Sequence, residues 1–164
     1  MSASSQPISV GIVGLGRAGW GMHCRELEAR PERFRIVAGC DPIAARRAKV
    51  TETFGAKGYR TIGQLLRDPA VELVSIASRS TDHVEHALLA LAAGKKVFLE
   101  KPIATSHREA RRLWKEAGRN RGNLFIRHNR RFEAAFTQIQ EIIRSGLLGD
   151  VFEKELLGSI AHHV

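Results

Sequence analysis

The stretch ISVGIVGLGRAG, residues 8–19, decides the fold. It opens with an apolar run, Ile8 to Val13, which is typical of a buried strand, and continues with three glycines at G-x-G-x-x-G spacing. In that motif the first glycine permits a tight turn, the second lets a pyrophosphate approach the backbone, and the third allows a helix to pack closely on the strand. The loop residues predicted to contact a dinucleotide are Gly14, Leu15, Gly16, Arg17, Ala18 and Gly19.

Strands and helices alternate along the rest of the chain. Further short runs rich in Val, Ile, Leu and Phe predict strands at residues 34–41, 73–77, 96–99 and 124–127, and apolar residues at helical spacing lie between them. This alternation predicts the α/β class, with a doubly wound parallel sheet of the Rossmann type that carries helices on both faces.

Local signals place the ends of several helices. Capping-box spacing occurs at Thr61 and Gln64, at Asp82 and Glu85, and at Ser106 and Glu109. Gly94 and Gly118 stand where a left-handed residue is expected to end a helix.

Two regions are predicted along the 164 residues. Residues 1–127 form the dinucleotide-binding domain, and residues 128–164 form a connecting helix, Phe132 to Ser145, and the first strand of an incomplete C-terminal α/β domain. That strand begins near Val151 and has no evident partner in the sequence, so we expect the chain to form a homo-oligomer through it.

Composition narrows the function classes. The chain carries a formal charge of +9, which could indicate a nucleic-acid partner. Its arginines are, however, spread over many predicted elements and not concentrated on one helix that could enter a DNA groove, so no nucleic-acid partner is expected. No apolar run is long enough to span a membrane and no signal peptide is evident, which predicts a cytoplasmic protein. The two cysteines, Cys24 and Cys40, lack metal-ligand spacing, so they are expected to be reduced thiols and no metal site is predicted.

Asp41 ends the second predicted strand about 20 residues past the glycine loop, where a carboxylate accepts hydrogen bonds from both hydroxyls of an adenosine ribose. Its charge would repel a 2′-phosphate, which favours NAD as the cofactor over NADP. Arg46 and Arg47 lie nearby and keep NADP as the less favoured option, since an arginine there can neutralise the extra phosphate. Asp41 could also cap the helix that follows Pro42.

The ends of the next two strands should lie at the same edge of the sheet, where ligands bind in open parallel sheets. One runs into a polar turn that contains Ser78, Ser80 and His83, and the other runs into Glu100 and Lys101. Because Pro102 follows a strand-end lysine at a tight turn, the Lys101–Pro102 peptide bond is a candidate for the cis form.

Six motifs follow one another along the chain: GLGRAG, Asp41, the polar turn ending in His83, LAAGKKVFLEKPIA, HNRRF and SGLLGDV. In this order they closely resemble the Gfo/Idh/MocA oxidoreductases, the family of glucose-fructose oxidoreductase and inositol dehydrogenase. The resemblance covers almost the whole chain. Its most specific part is A-G-K-x-V-x-x-E-K-P, residues 93–102.

The resemblance implies a role for several residues. Lys101 would be the catalytic lysine that contacts the nicotinamide ribose and the substrate hydroxyl, with Glu100 beside the cofactor and His83 lining the cofactor cleft. Asn129 and Arg131 would reach the substrate side. Ser78, Arg79 and Ser80 stand where the family commonly has Thr-Pro-Asn, so the turn beside the nicotinamide ribose departs from the family pattern.

The expected function is hydride transfer between a nicotinamide cofactor and a sugar, cyclitol or related polyol. Because family members continue into a second domain that covers the nicotinamide, residues 1–164 alone are not expected to be a competent enzyme. The second choice is a short non-catalytic module that binds NAD for regulation, and the third is a basic nucleic-acid-binding protein.

Overall fold

The computed structural model describes residues 6–119 and 122–151, and a single six-stranded sheet organises them. The strands are β1 (Ile8–Val13), β2 (Phe34–Cys40), β3 (Lys57–Tyr59), β4 (Leu73–Ile76), β5 (Lys96–Leu99) and β6 (Leu124–Ile126). The helices are α1 (Arg25–Glu28), α2 (Ala44–Phe54), α3 (Ile62–Leu66), α4 (His83–Ala92), α5 (His107–Arg119) and α6 (Ala134–Arg144). A π-helical segment, Gly19–Cys24, leads into α1.

All strand pairs are parallel, and their order across the sheet is β3-β2-β1-β4-β5-β6. The chain therefore builds outward from β1 to β3, returns to β4 on the other side of β1, and continues outward to β6. This is the Rossmann order, and it confirms the predicted doubly wound sheet. The reversal between β1 and β4 opens a crevice at the carboxyl ends of these two strands, where a dinucleotide is bound in such folds.

The sheet has an apolar core on each face. One core joins side chains of the strands to Leu65 of α3, Val84 of α4 and Leu113 of α5. The other joins the opposite strand faces to Cys24 beside α1 and to Val50 of α2. Helices cover both faces because each strand of a parallel sheet exposes an apolar side chain on either face.

The predicted strands agree with the structure within one residue at each end, but β3 was not among them. Its three residues, Lys57 to Tyr59, include a glycine and no apolar run, so periodicity gives no signal there. The strand forms because the end of β2 and the Asp41 amide that follows it offer an edge with which the segment pairs in parallel.

Asp82 is the N-cap residue of α4, as predicted, but the expected cap hydrogen bond is missing, and the helix end predicted at Gly118 is wrong. Asp82 makes no cap hydrogen bond, because its carboxylate pairs with Arg79 at 3.1 Å and a 3-10 turn, Ser80–Asp82, leads directly into α4. Gly118 lies inside α5 rather than after it.

Other helix signals are confirmed. Thr61 and Gln64 form a complete capping box at the start of α3. Ser106 accepts a hydrogen bond from the Glu109 amide, and Gly94 after α4 has a φ of 72°.

One compact unit ends at Arg127 and a second begins at His128. Within the second unit, a 3-10 turn, Asn129–Phe132, precedes α6, so the helix starts two residues later than its apolar spacing predicts. The predicted strand after Val151, and with it the expected self-association, falls on residues outside those the structure describes. Among the described residues no helix is both long and apolar enough to cross a membrane.

Candidate dinucleotide-binding site

The glycine loop joins the end of β1 to the helix that follows it. Gly14 has a φ of 88°, its amide donates to the Cys40 carbonyl at 2.8 Å, and a Cβ there would stand 2.7 Å from the Ala77 carbonyl oxygen at the end of β4. A Cβ on Gly19 would collide with the carbonyl of Gly14. Both positions therefore require glycine for the turn and for the close packing of helix on strand, as the motif predicts.

Gly16 differs from these two glycines because the space beside it is open. The atoms nearest to a Cβ at this position belong to the Arg46 guanidinium, with Nη1 at 3.6 Å. The Trp20 amide donates to the Gly16 carbonyl at 2.8 Å, which places the amides of Arg17 and Ala18 in a first helical turn, where amides have no intrahelical acceptor. A phosphate can approach the backbone here and meet the positive end of the helix.

A groove of about 710 Å³ runs from this loop along the carboxyl edge of the sheet. Its walls come from the ends of β1, β2 and β4 and from the start of α3 and α4. Its polar and charged lining side chains are Asp41, Arg46, Arg60, Thr61, Ser78, Arg79, Asp82 and His86.

Asp41 lies just past the end of β2 and is 3% exposed. Its Oδ2 accepts from the Leu15 amide at 2.9 Å and its Oδ1 accepts from the Ile43 amide at 2.9 Å. The N-cap of α2 is Ile43, so Asp41 is not the cap residue of that helix. The carboxylate instead ties the glycine loop to the end of β2.

Two arginines of α2 lie beside this carboxylate. Arg46 Nη1 is 3.2 Å from Asp41 Oδ2, and the Arg46 side chain is 45% exposed. Arg47 instead donates to the carbonyl oxygens of Asp41 and Pro42, at 2.8 and 2.9 Å, which fixes the turn before α2. Arg46 therefore lies in the groove, whereas Arg47 supports its wall.

At the end of β4, Ser78 and His86 lie together in the groove wall, with Ser78 Oγ 2.9 Å from His86 Nδ1. Burial lowers the pKa of the His86 imidazole, and the nearby Asp82 carboxylate opposes that shift. His86 belongs to none of the motifs recognised in the sequence. Its position three residues after His83 in α4, one helical turn on, is the signal that could have identified it.

His83 is buried, and its ring is held between two backbone segments. Nδ1 lies 2.7 Å from the Pro102 carbonyl oxygen and Nε2 lies 3.1 Å from the Ser78 carbonyl oxygen. The imidazole therefore joins the turn after β4 to the turn after β5. Ser80 begins the 3-10 turn after β4 and is half-buried.

The Glu100 carboxylate is buried and anchors the turn after β5. Its Oε2 accepts from the Lys101 amide at 2.7 Å, and its Oε1 accepts from Arg127 Nη1 at 3.0 Å. Arg127 is 4% exposed and also pairs with Glu26. Glu100 and Arg127 thus form a buried ion pair directly beneath the predicted catalytic lysine.

His23 completes this buried cluster. Its Nδ1 lies 2.6 Å from Ser75 Oγ and its Nε2 lies 3.5 Å from Glu100 Oε1. Burial lowers the pKa of the His23 imidazole, and the hydrogen bond that the ring makes to the Glu100 carboxylate opposes this shift. Neither His23 nor Arg127 was expected at the site, because their partners are 52 and 27 residues away in sequence.

Lys101 itself is exposed at the carboxyl edge of the sheet. The Glu100 amide donates to the Ile76 carbonyl at 3.0 Å, so Lys101 follows a strand end that lies beside the end of β4. Within the described residues, the Lys101 amine makes no hydrogen bond or ion pair. The Lys101–Pro102 peptide bond is cis, which confirms the prediction.

The remaining predicted residues lie elsewhere. Asn129 and Arg131 are exposed and belong to the 3-10 turn of the second unit. Cys24 and Cys40 are buried free thiols, and burial raises their pKa values to about 11 and about 12. Over residues 6–119 and 122–151, no three His, Cys, Asp or Glu side chains are grouped so that they could hold a metal ion.

A parallel sheet in this order, with a glycine loop after β1 and a buried carboxylate after β2, defines a dinucleotide-binding Rossmann domain. Residues 8–128 match the GFO_IDH_MocA family, described as "Oxidoreductase family, NAD-binding Rossmann fold". The chain belongs to this family, and its cofactor class is NAD.

Named relatives agree with this assignment. The chain is 36% identical over 143 residues to the rhizopine catabolism protein MocA of Rhizobium meliloti, covering 87% of this chain and 44% of the relative. It is 33% identical over 146 residues to inositol 2-dehydrogenase of Salmonella paratyphi B, covering 87% and 43%. Among solved structures, a 3-ketoreductase from Actinomadura kijaniata in complex with TDP-benzene and NADP superimposes with a TM-score of 0.80 at 28% identity, covering 88% and 44%. The chain spans less than half the length of the relatives it matches.

Proposed function

We propose that this chain is the dinucleotide-binding part of an NAD-dependent oxidoreductase that moves hydride between nicotinamide and a carbon of a sugar, cyclitol or related polyol. The observation that carries the proposal is the arrangement at one edge of the sheet. The glycine loop, Asp41 and the free amine of Lys101 follow the carboxyl ends of β1, β2 and β5, with the crevice of the fold among them.

The groove suits a dinucleotide in charge and in shape. The open space at Gly16 admits a pyrophosphate, which the first-turn amides and the helix dipole attract. Asp41 stands ready to accept from ribose hydroxyls, and its position is fixed by the Leu15 and Ile43 amides before any ligand arrives. When bound, the nicotinamide supplies the hydride chemistry at its C4.

Lys101 is assigned the proton-handling role. With the cofactor bound, Lys101 Nζ would take up the hydroxyl proton as the adjacent carbon gives up its hydride, and in the reverse direction it would return that proton to the carbonyl oxygen as the carbon accepts hydride. Glu100, Arg127 and His83 act through it, since they hold the backbone on both sides of Lys101. The polyol substrate class is taken from the relatives named as inositol 2-dehydrogenase and as a rhizopine catabolism protein.

A fluorescence titration of the chain with NADH tests the proposal. Lys101→Met should weaken NADH binding several-fold, because the ammonium group contacts the nicotinamide ribose. Lys96→Met is the matched control, since Lys96 is equally exposed but begins β5 at the opposite edge of the sheet. Absence of NADH binding to the unmodified chain contradicts the proposal, and equal affinities for all three proteins would favour a non-catalytic dinucleotide-binding module.

Turnover is a separate measurement. A screen of inositols and sugars at saturating NAD should show little activity from these 164 residues alone, because the chain spans less than half the length of its relatives. Correct positioning of two reactants can account for roughly 7–11 kcal/mol of a barrier. Robust turnover that Lys101→Met abolishes would show that this chain positions the substrate by itself or with a partner.

A further inference from the structure

The outer face of α5 is a basic surface with an exposed tryptophan at its edge. Because successive residues of an α-helix are turned by about 100°, five cationic residues of α5 fall within an arc of about 100°, on the side away from the buried Leu113. These exposed residues are Arg108, Arg111, Arg112, Lys115 and Arg119. Trp114 lies on one flank of this basic arc and is 81% exposed, although tryptophan is a residue type that is mostly buried in folded proteins.

A groove of about 790 Å³ lies on this face. Its lining is apolar or cationic, and it consists of Ile103, Ala110, Trp114, Arg108, Arg111, Arg112 and Lys115. None of these lining residues carries a carboxylate. The groove shares no lining residue with the dinucleotide groove, so it is a separate surface of the domain.

The charges of the basic arc are only partly compensated. Arg112 pairs with Glu85 at 3.5 Å, and Arg119 pairs with Glu116 at 3.1 Å. The other three cations of the arc make no ion pair within the described residues, and they are Arg108, Arg111 and Lys115. All three line the groove beside Trp114. The groove therefore offers three free positive charges next to an exposed aromatic ring.

The spacing of these three cations suits carboxylates on a second helix. Arg111 follows Arg108 by three residues and Lys115 follows Arg111 by four, which separates them by about 4.5 and about 6 Å along the helix axis. Carboxylates at positions i, i+3 and i+7 of an opposing helix repeat the same distances. A guanidinium binds a carboxylate through two parallel hydrogen bonds, and tryptophan and arginine dominate the binding energy of many protein interfaces.

The other flank of the basic arc decides which kind of anion suits this face. Glu109 and Glu116 lie there, on the side of the arc away from Trp114. A nucleic acid or an anionic membrane is negative over its whole surface, so the arc would attract it and this flank would repel it. A protein surface can place carboxylates over the arc and cations over the flank. A second copy of this chain is unsuited, because its formal charge is +9 and two-fold pairing would bring arc against arc.

We propose that this face of α5 is a docking surface for another protein that presents an acidic helix. Carboxylates one turn apart pair with Arg108, Arg111 and Lys115, and an apolar side chain of the same helix packs on Trp114 in the groove. The inference is independent of the proposed function, since no residue of the dinucleotide groove takes part.

The test uses a fluorescein-labelled helical peptide with glutamates at i, i+3 and i+7 and leucines beside them, and fluorescence anisotropy measures its binding. The unmodified chain should bind this peptide with a Kd below about 100 µM at low salt, and added salt should weaken binding. Arg111→Glu and Lys115→Glu should each raise the Kd roughly 3- to 30-fold, because reversal turns an attraction into a repulsion. Trp114→Ala should raise it by about fivefold or more.

Arg25→Glu is the matched control, because it changes the net charge by the same amount at an exposed helical position outside the groove. It should leave the peptide Kd within about twofold. Arginine and glutamate have similar helix propensities, so circular dichroism and NADH binding should be the same for Arg111→Glu as for the unmodified chain. A peptide of equal composition, with its glutamates spread evenly around the helix, should bind about fivefold more weakly or worse.

Several outcomes would overturn the inference. If Arg25→Glu weakens peptide binding as much as Arg111→Glu does, the attraction comes from net charge and not from the groove. If the acidic peptide does not bind, the docking surface is wrong. The same holds if a ten-nucleotide thymidylate strand or phosphatidylserine vesicles bind more tightly than the peptide and Arg111→Glu abolishes that binding. A dimer of the chain that Arg111→Glu dissociates in sedimentation would show that the face pairs two copies instead.

Discussion

Replacing Gly19 by alanine should separate the packing role of the glycine loop from its binding role. A Cβ at this position would lie 2.9 Å from the Gly14 carbonyl carbon and closer still to its oxygen, both backbone atoms, whereas ordinary contacts begin near 3.4 Å. The oxygen is the tighter of the two contacts, so the helix must move away from β1 by more than 1 Å. Overpacking of this kind costs about 1–3 kcal/mol, and a backbone partner that cannot rotate aside places Gly19→Ala near the upper end.

For a chain of this length, about 3 kcal/mol corresponds to a fall in Tm of roughly 6–12 °C. Gly21→Ala is the control, since it lies two residues further on and a Cβ there meets nothing within 4 Å. It should stabilise the chain by up to about 1 kcal/mol, the usual gain of alanine over glycine in a helix.

Gly16→Ala completes the series. Its Cβ meets only the flexible end of Arg46, at 3.6 Å, so the Tm should hold while NADH binding weakens, because the methyl group occupies the approach of the pyrophosphate. Thermal unfolding and NADH titration of the three variants measure both effects. Equal Tm values for Gly19→Ala and Gly21→Ala would refute the reasoning, as would unimpaired NADH binding by Gly16→Ala.

Three further outcomes are expected. Asp41→Ala should weaken NADH binding by about 1–3 kcal/mol through loss of charged hydrogen bonds, and NADPH binding should weaken less or improve. If calorimetry finds equal losses for both cofactors, the Asp41 carboxylate only accepts hydrogen bonds from backbone amides and does not contact the ribose. Because burial raises the thiol pKa values of Cys24 and Cys40 to about 11 and about 12, a thiol reagent at pH 8 should label both quickly in urea and very slowly in the folded chain. Burial lowers the pKa of His23 in the folded chain, so below pH 6.5 the unfolded chain binds more protons than the folded chain. As the pH is lowered through this range, the free energy of unfolding should fall by up to about 1.4 kcal/mol per pH unit. Urea unfolding of His23→Gln should show a shallower pH dependence, and an unchanged dependence would contradict this prediction.

Features that depend on neighbours in sequence could be predicted. The glycine loop, the carboxylate after β2 and the capping box at Thr61 each rest on residues within one turn or one strand end, and the structure contains all three. The alternation of strands and helices was enough to predict a parallel sheet, because two parallel strands must be joined by a crossover connection, which is usually a helix.

Side-chain pairs between residues far apart in sequence could not be predicted. Glu100 carries the same signal as any strand-end carboxylate, and only the arrival of Arg127 from β6 explains why it is buried. In the sequence Arg127 is one of several arginines between Arg119 and Arg131, which is typical of a solvated basic surface, yet its two acidic partners lie 27 and 101 residues away. The cap hydrogen bond expected at Asp82 is missing because of a local partner and not a distant one, since Arg79, three residues earlier, pairs with the Asp82 carboxylate.

The buried guanidinium of Arg127 also fixes where this unit can be cut. The sheet ends at Ile126, and a fragment trimmed to that residue would keep every strand and the whole groove. It would nevertheless leave the interior carboxylate of Glu100 without its cation, and an uncompensated buried charge is among the most damaging defects that a small domain can carry. We therefore expect that the shortest fragment that binds a dinucleotide by itself ends after Arg127 and not before it.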